Sequence, residues 1–311
     1  MNEIKNVIIC GLGAIGSIYA VKISQLKDIN LKILLNKERI TKYKQTPTIF
    51  NSKTYNFDYI TEDSKSFFAD LIIIATKNNG LTEAIRGIRK FVGENTVILS
   101  LLNGIKSEEQ IASVYGKEKV LFSYYIGHTS TRTERSIVHD GVFKTVFGEK
   151  NNSSLSLSVQ RVKDFFDKAD IPYEIPVDMY YSMWWKFLVN VGYNQASAIL
   201  GASYGDFQKS EKVNNIAIKL MQEAVGVAAA SGVENTQNLI GEVLDVIKTM
   251  LPNTRTSMLQ DVDAGRKTEV DIFAGYVSEL GKKYKIPTPY NDMIYELISA
   301  IDEKNQNCCN V

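Results

Sequence analysis

The sequence predicts an α/β first domain built on a doubly wound parallel sheet, followed by a mainly α-helical second domain. Three observations carry this. Short runs of branched apolar residues alternate with helical periods through the first half of the chain. A glycine-rich turn stands directly after the first of those runs. Beyond a pair of prolines, Pro172 and Pro176, the branched runs give way to long periodic stretches. With 311 residues the chain also exceeds what one core usually holds.

Val7 to Cys10 reads as a buried strand, and apolar residues then recur at helical spacing from Ser17 to Leu26. Leu31 to Leu35, Leu71 to Ala75 and Val97 to Leu102 read as further strands, with a helix over Leu81 to Val92 between the last two. Val120 to Ile126, Ser136 to Val138 and Val142 to Phe147 are expected to extend the same sheet, with Asp140-Gly141 as a hairpin turn. The two prolines bracket a segment that cannot continue a helix, which places the domain boundary between residues 176 and 177. The first domain is thus 1–176 and the second 177–311. Helices are expected over Met179 to Leu200, Val213 to Ala230, Leu239 to Met250, Val270 to Tyr284 and Tyr290 to Asp302, with a frayed tail from Asn305. Lys44 to Thr61 carries no pattern that assigns an element.

Hydrophobic residues at 44% and charged residues at 23% describe an ordinary globular chain, and a net charge of +1 gives no field that would draw nucleic acid or an anionic membrane. A small molecule is the expected partner. Cys10, Cys308 and Cys309 cannot make a disulfide framework, and no apolar run is long enough for a signal peptide or a membrane span, so a cytoplasmic protein is expected. His128 and His139 lack metal-ligand spacing, and no metal site is expected. Asp261 and Asp263 near Arg266 offer a paired-carboxylate site, but solvated charges or an intramolecular ion pair are the stronger reading.

The turn Gly11-Leu12-Gly13-Ala14-Ile15-Gly16 lies between a strand and a helix, which is the context a dinucleotide needs. Gly11 permits the tight turn, Gly13 lets the backbone approach a pyrophosphate, and Gly16 lets helix pack on strand, with the helix N-terminus facing the negative charge. The fold class is therefore Rossmann-like. At the end of the second strand stand Asn36-Lys37-Glu38-Arg39, with no carboxylate directly after the apolar run to hold a ribose. Lys37 there favours NADPH, with NADH the alternative, although the same charges also read as a solvated helix start. Lys77 follows the strand Leu71 to Ala75 at the sheet edge where such folds bind ligands.

Lys186, Asn190 and Asn194 stand at i, i+4 and i+8, so one helix presents all three on one side. Such a row either converges on a ligand or is the polar stripe of an amphipathic helix. Taken singly, Glu269 reads as an exposed helix charge, Ser257 as a helix N-cap and Asn103 as a turn former before Gly104.

Several motifs in order, however, make the chain resemble the ketopantoate reductase family. They are the glycine turn, Ile74-Ala75-Thr76-Lys77, Leu102-Asn103-Gly104, Val138-His139-Asp140-Gly141, the segment Trp185 to Asn190 with Asn194, Ser257 to Asp271, and Thr288-Pro289-Tyr290-Asn291. The resemblance implies NADPH-dependent reduction of 2-dehydropantoate to pantoate, on the route to pantothenate. It implies that Lys186 is the general acid and that Glu269 contacts the substrate hydroxyl. By the same resemblance Ser257 binds near the substrate carboxylate, Asn190 and Asn194 orient the ligand, and Asn103 lines the cleft between nicotinamide and substrate. Family members with clear NADP preference commonly carry Arg where this chain has Asn36. Three alternatives stay open: a reductase of another small 2-keto acid, a relative of the β-hydroxyacid dehydrogenases, and a non-catalytic nucleotide sensor. The apolar helices of the second domain would support a homodimer.

Overall fold

The computed structural model of the chain describes residues 3–127, 131–133 and 136–308; His128 and Cys309 lie outside them. The chain divides into two compact units, one of Met1–Leu102 with Lys106–Met179 and one of Asn103–Ile105 with Tyr180–Val311.

In the first unit, β1 (Asn6–Cys10), β2 (Asn30–Leu34), β5 (Tyr59–Ile60), β6 (Ala69–Ile74), β7 (Val92–Ser100) and β8 (Val120–Gly127) form the parallel part of an eight-stranded sheet. β11 (Phe143–Gly148) runs antiparallel to β8, and β12 (Tyr173–Glu174) closes that edge. The order is β12-β11-β8-β7-β6-β1-β2-β5. Successive β1 side chains enter opposite cores: Val7 and Ile9 pack with α1 (Ala14–Ile23) and α5 (Leu157–Lys168), Ile8 and Cys10 with α3 (Leu81–Gly87) and α4 (Ser107–Tyr115). Burial on both faces is why the strand is a continuous apolar run rather than an alternating one.

Three expectations are corrected here. The helix expected to reach Val92 ends at Gly87, and Val92 opens β7. Ser136 to Val138 forms a strand, β10, but in a separate sheet, ordered β4-β3-β10-β9 with β3 (Thr48–Phe50), β4 (Lys53–Tyr55) and β9 (Thr131–Thr133). Asp140-Gly141 is therefore no hairpin turn. It is a crossing from one sheet to the other, made by Gly141 at φ +85° with the Val142 N–H donating to Asp140 Oδ1 at 2.9 Å.

The second unit is helical, with α6 (Met179–Val189), α7 (Gln195–Leu200), α8 (Tyr204–Lys209), α9 (Glu211–Ala230), α10 (Leu239–Thr249), α11 (Ser257–Asp263), α12 (Ala274–Tyr284) and α13 (Pro289–Cys308). Its core gathers Trp184, Phe187, Tyr193, Leu220, Met221, Val243 and Phe273 around α9. Two more corrections arise. The stretch Met179 to Leu200 is not one α-helix but is interrupted by a π-turn over Asn190–Asn194. The helix expected to end at Asp302 continues to Cys308, so the chain from Asn305 to Cys308 is helical rather than frayed. Asp261 and Asp263 take up ion pairs with Arg266 (2.7 Å) and Arg255 (2.8 Å). Among the described residues no helix is long and apolar enough to cross a membrane, and no group of three or more His, Cys, Asp or Glu could hold a metal.

Candidate active site

Two sets of residues form candidate sites, one in each unit. In the first, β1 lies between β2 and β6, so the strand order reverses beside its C-terminal end, the place where open α/β sheets bind ligands. Gly11 there has φ +94°, and a Cβ on it would come within 2.9 Å of the Ala75 carbonyl oxygen. A Cβ on Gly16 would sit 2.1 Å from the Gly11 carbonyl oxygen, so any side chain there would prevent the turn from closing on the helix. Leu12 is buried and its carbonyl accepts a hydrogen bond from the Tyr43 hydroxyl at 2.7 Å. Gly13 is the N-cap of α1 and offers no side-chain acceptor, and the first turn carries no acidic residue. With Gly13, Ala14 and Ile15 only partly covered, the first-turn N–H groups are left for a ligand anion. These residues fit the pyrophosphate of a dinucleotide.

Lys77 stands exposed just past β6 at the same edge of the sheet. The Asn36-Lys37 step is the start of α2 (Lys37–Gln45): Asn36 Oδ1 caps it, accepting from the Arg39 N–H at 2.9 Å, while Asn36 Nδ2 donates to Glu83 at 3.3 Å. Lys37 Nζ pairs with Asp63 at 2.9 Å, and this carboxylate raises the lysine pKa. Both partners are largely exposed, so the pair contributes little and is readily exchanged.

In the second unit, Lys186 stands on α6, which also carries the T-shaped pair of Trp184 and Phe187. Half-buried in its fractional exposure, its ammonium is nonetheless depleted enough of water to bring its pKa down to about 8, with burial the cause. Asn190, buried, accepts a hydrogen bond from Asn194 Nδ2 at 3.2 Å, and its own Nδ2 has no partner among the described residues. Asn194 Nδ2 also lies 3.3 Å from Ser257 Oγ. Ser257 is not the N-cap of α11. Thr256 is, accepting from the Leu259 N–H at 3.3 Å, which frees the Ser257 hydroxyl for Asn194.

Asn103 Nδ2 donates to Glu269 Oε2 at 2.9 Å across 166 positions of sequence. Glu269 is not an exposed helix charge. It is partly buried in the turn before the short 3-10 segment Val270–Ile272, and its neighbour Thr268 is held by the buried carboxylate of Asp302 through its N–H and its hydroxyl (2.8 Å). The loop carrying Asn103 is stapled at its base, since the Ser100 hydroxyl donates to Ser107 Oγ at 2.8 Å and Ser107 to Glu108 at 2.9 Å. Burial pushes the Glu108 carboxyl up to about 7. The structure thus joins Asn190, Asn194 and Ser257 in one group and Asn103 with Glu269 in another.

Sequence reasoning missed Tyr43, Thr256 and Asp302. The signal for Tyr43 was present: with Ile40, three places earlier, it makes the apolar face of a helix whose other residues are polar. Asp302 had none, because the pairing with Thr268 spans 34 positions.

Residues 7–152 match the family model described as ketopantoate reductase PanE/ApbA, and residues 178–302 match the model of its C-terminal part. A 2-dehydropantoate 2-reductase of Aquifex aeolicus is 25% identical over 298 residues, covering 94% of this chain and 96% of its own. Among solved structures, a ternary complex of D-mandelate dehydrogenase with NADH and anilino(oxo)acetate superposes with a TM-score of 0.85 at 22% identity, covering 97% of this chain and 99% of the other. A PanE/ApbA family ketopantoate reductase from Ralstonia eutropha gives 0.82 at 23% identity, with coverage of 97% and 99%.

Proposed function

The chain belongs to the ketopantoate reductase family, and from that premise we propose that it reduces 2-dehydropantoate to pantoate with NADPH. The observation that carries the reading is the presence, on one helical stretch, of a lysine of lowered pKa and a buried asparagine whose Nδ2 has no partner among the described residues. The glycine turn, with Lys37 and Lys77 at the same sheet edge, would hold the dinucleotide, which supplies the hydride when bound.

Lys186 gives its proton to the ketone oxygen as the carbon is reduced, so the alkoxide never forms unprotected. With a pKa of about 8 it is mostly protonated at neutral pH, yet it releases the proton more readily than an exposed lysine. Asn190 Nδ2, Asn194 and Ser257 supply donors for a carboxylate and its neighbouring oxygens. Glu269, oriented by Asn103, accepts from a substrate hydroxyl. Asn36 caps α2 instead of presenting a cation, which favours a second reading, an NADH-dependent reductase of another 2-keto acid.

The test is oxidation of NADPH and of NADH by the purified protein with 2-dehydropantoate and with a panel of other 2-keto acids. Turnover of 2-dehydropantoate with NADPH at the highest kcat/KM is expected. A higher value for another keto acid or for NADH replaces the first reading by the second. Cofactor binding without turnover of any keto acid leaves a nucleotide-binding protein. Light scattering of the same sample tests the homodimer.

A further inference from the structure

We propose that Gln195 is a positioning residue for the reduction: its side-chain amide holds open the π-turn that presents Asn190 and Asn194, and ties that turn to the segment following Glu269. The inference rests on the assignment of those two asparagines to the substrate.

A π-turn accommodates one residue more than the α-helix would and survives only where something holds it. In an α-helix the Gln195 N–H would go to the Val191 carbonyl. Here it goes to Gly192 O, and Val191 O receives Gln195 Nε2 instead, at 2.7 Å. At the end of the π-turn the Gln195 N–H thus closes three residues back rather than four, and its side chain gives a donor to the carbonyl that the α-pattern would assign to that N–H. The other end of the same amide, Oε1, accepts from the Ala274 N–H at 2.8 Å. Ala274 opens α12, where N–H groups lack helical partners, and only the short 3-10 segment and Phe273 separate it from Glu269.

Gln195 is wholly buried, so both hydrogen bonds are made away from water and neither is replaced by solvent when lost. A glutamine matches these needs because it carries a donor and an acceptor on one planar group; a carboxylate has no donor and a thioether has neither of useful strength. The turn is also fitted to α9. A Cβ on Gly192 would come within 2.7 Å of the Met221 side chain, and the Tyr193 hydroxyl donates to Asn214 at 2.7 Å. Residues 192 and 193 are therefore held by α9 and the Val191 carbonyl by Gln195, while Asn190 and Asn194 at the two ends of the turn bond to each other. Closing the π-turn to an α-turn would rotate one asparagine against the other by about 100°.

The experiment compares the whole protein with Gln195→Met and Gln195→Glu in steady-state reduction, after the preferred keto acid has been found. Gln195→Met is expected to raise KM for the keto acid about tenfold while leaving KM for the cofactor within about twofold and kcat within about threefold, the size of one well-placed hydrogen bond. In Gln195→Glu the introduced carboxyl lacks a donor when ionised and regains one when protonated. Its KM, taken relative to the wild type at each pH, should fall back towards unity as the pH is lowered. That recovery is measurable even where Gln195→Met does not fold. Wild-type KM values in both variants overturn the proposal. So does a loss that raises both KM values alike and shows no recovery at low pH, because a merely structural residue would give that result. Wild-type protein without turnover on any keto acid overturns the function itself, an outcome distinct from active wild type with unaffected variants.

Discussion

The glycine turn of the first unit and the polar cluster of the second are built from different materials. The first is made of backbone, and its specificity lies in what is absent: a Cβ at Gly16 that would strike Gly11 O at 2.1 Å, and a capping side chain on α1. The second is made of side chains, the group Asn190, Asn194 and Ser257 and the pair Asn103 and Glu269, and lies in what is brought together. A backbone site fails when an atom is added, and a side-chain site fails when one is removed. Substitutions of opposite kinds should therefore separate the two.

The largest effect is expected at Lys186. Replacing it with Ala removes the proposed proton donor and should lower kcat by roughly 10²–10⁴-fold, while cofactor affinity, measured by nicotinamide fluorescence, stays unchanged. Loss of cofactor binding in this variant would show that the two sites are not separable. The lysine's pKa lies near 8, below its ordinary value, and the proposed role requires its protonated form. The rate of reduction with the wild type should thus hold below that pH and fall about tenfold per unit above it. Lys186→Arg, which stays charged throughout, should be slower but lack this break.

The complementary addition is Gly16→Ala. One methyl group placed 2.1 Å from a backbone oxygen must push α1 off the turn, and cofactor affinity is expected to fall by about 100-fold or more, in line with the few kcal/mol that overpacking costs. The Lys186 pKa, followed by the pH dependence of its chemical labelling, should not change. Normal cofactor affinity in a folded Gly16→Ala protein would remove the glycine turn from the site.

The same contrast explains how much could be read from the sequence. The glycine turn occupies six consecutive residues after an apolar run, so spacing alone identified it, and both-sided burial made the parallel strands legible as runs. The small strands β3, β4 and β10 have three residues each, too few for a period to show, and β10 took its place in the second sheet through pairing with a strand some ninety positions earlier. Lys186, Asn190 and Asn194 were visible as a helical row, but the π-turn among them was not, because it depends on Gln195 reaching Ala274 across 79 positions. Ser257 looked like a cap because a serine before an apolar run usually is one, and the threonine one place earlier does that work. What local chemistry determines was legible; what long-range hydrogen bonds determine was not.

The smallest predicted effect concerns the cofactor's outer end, where the backbone site has to borrow side chains. Lys37 is the nearest cation after β2, but in the structure it is paired with Asp63. An exposed pair of this kind is worth about 1 kcal/mol or less, so Lys37→Ala should leave the melting temperature almost unchanged. If the lysine turns to the 2′-phosphate when NADPH binds, the variant should raise KM for NADPH by about three- to tenfold, the scale of one exposed charge contact, and leave KM for NADH alone. The effect should shrink at high salt, where such charges are screened. Equal KM changes for both cofactors would mean that Lys37 only begins α2, beside an Asn36 that caps it, and would move the choice of cofactor to Lys77, which follows β6 on the other side of β1.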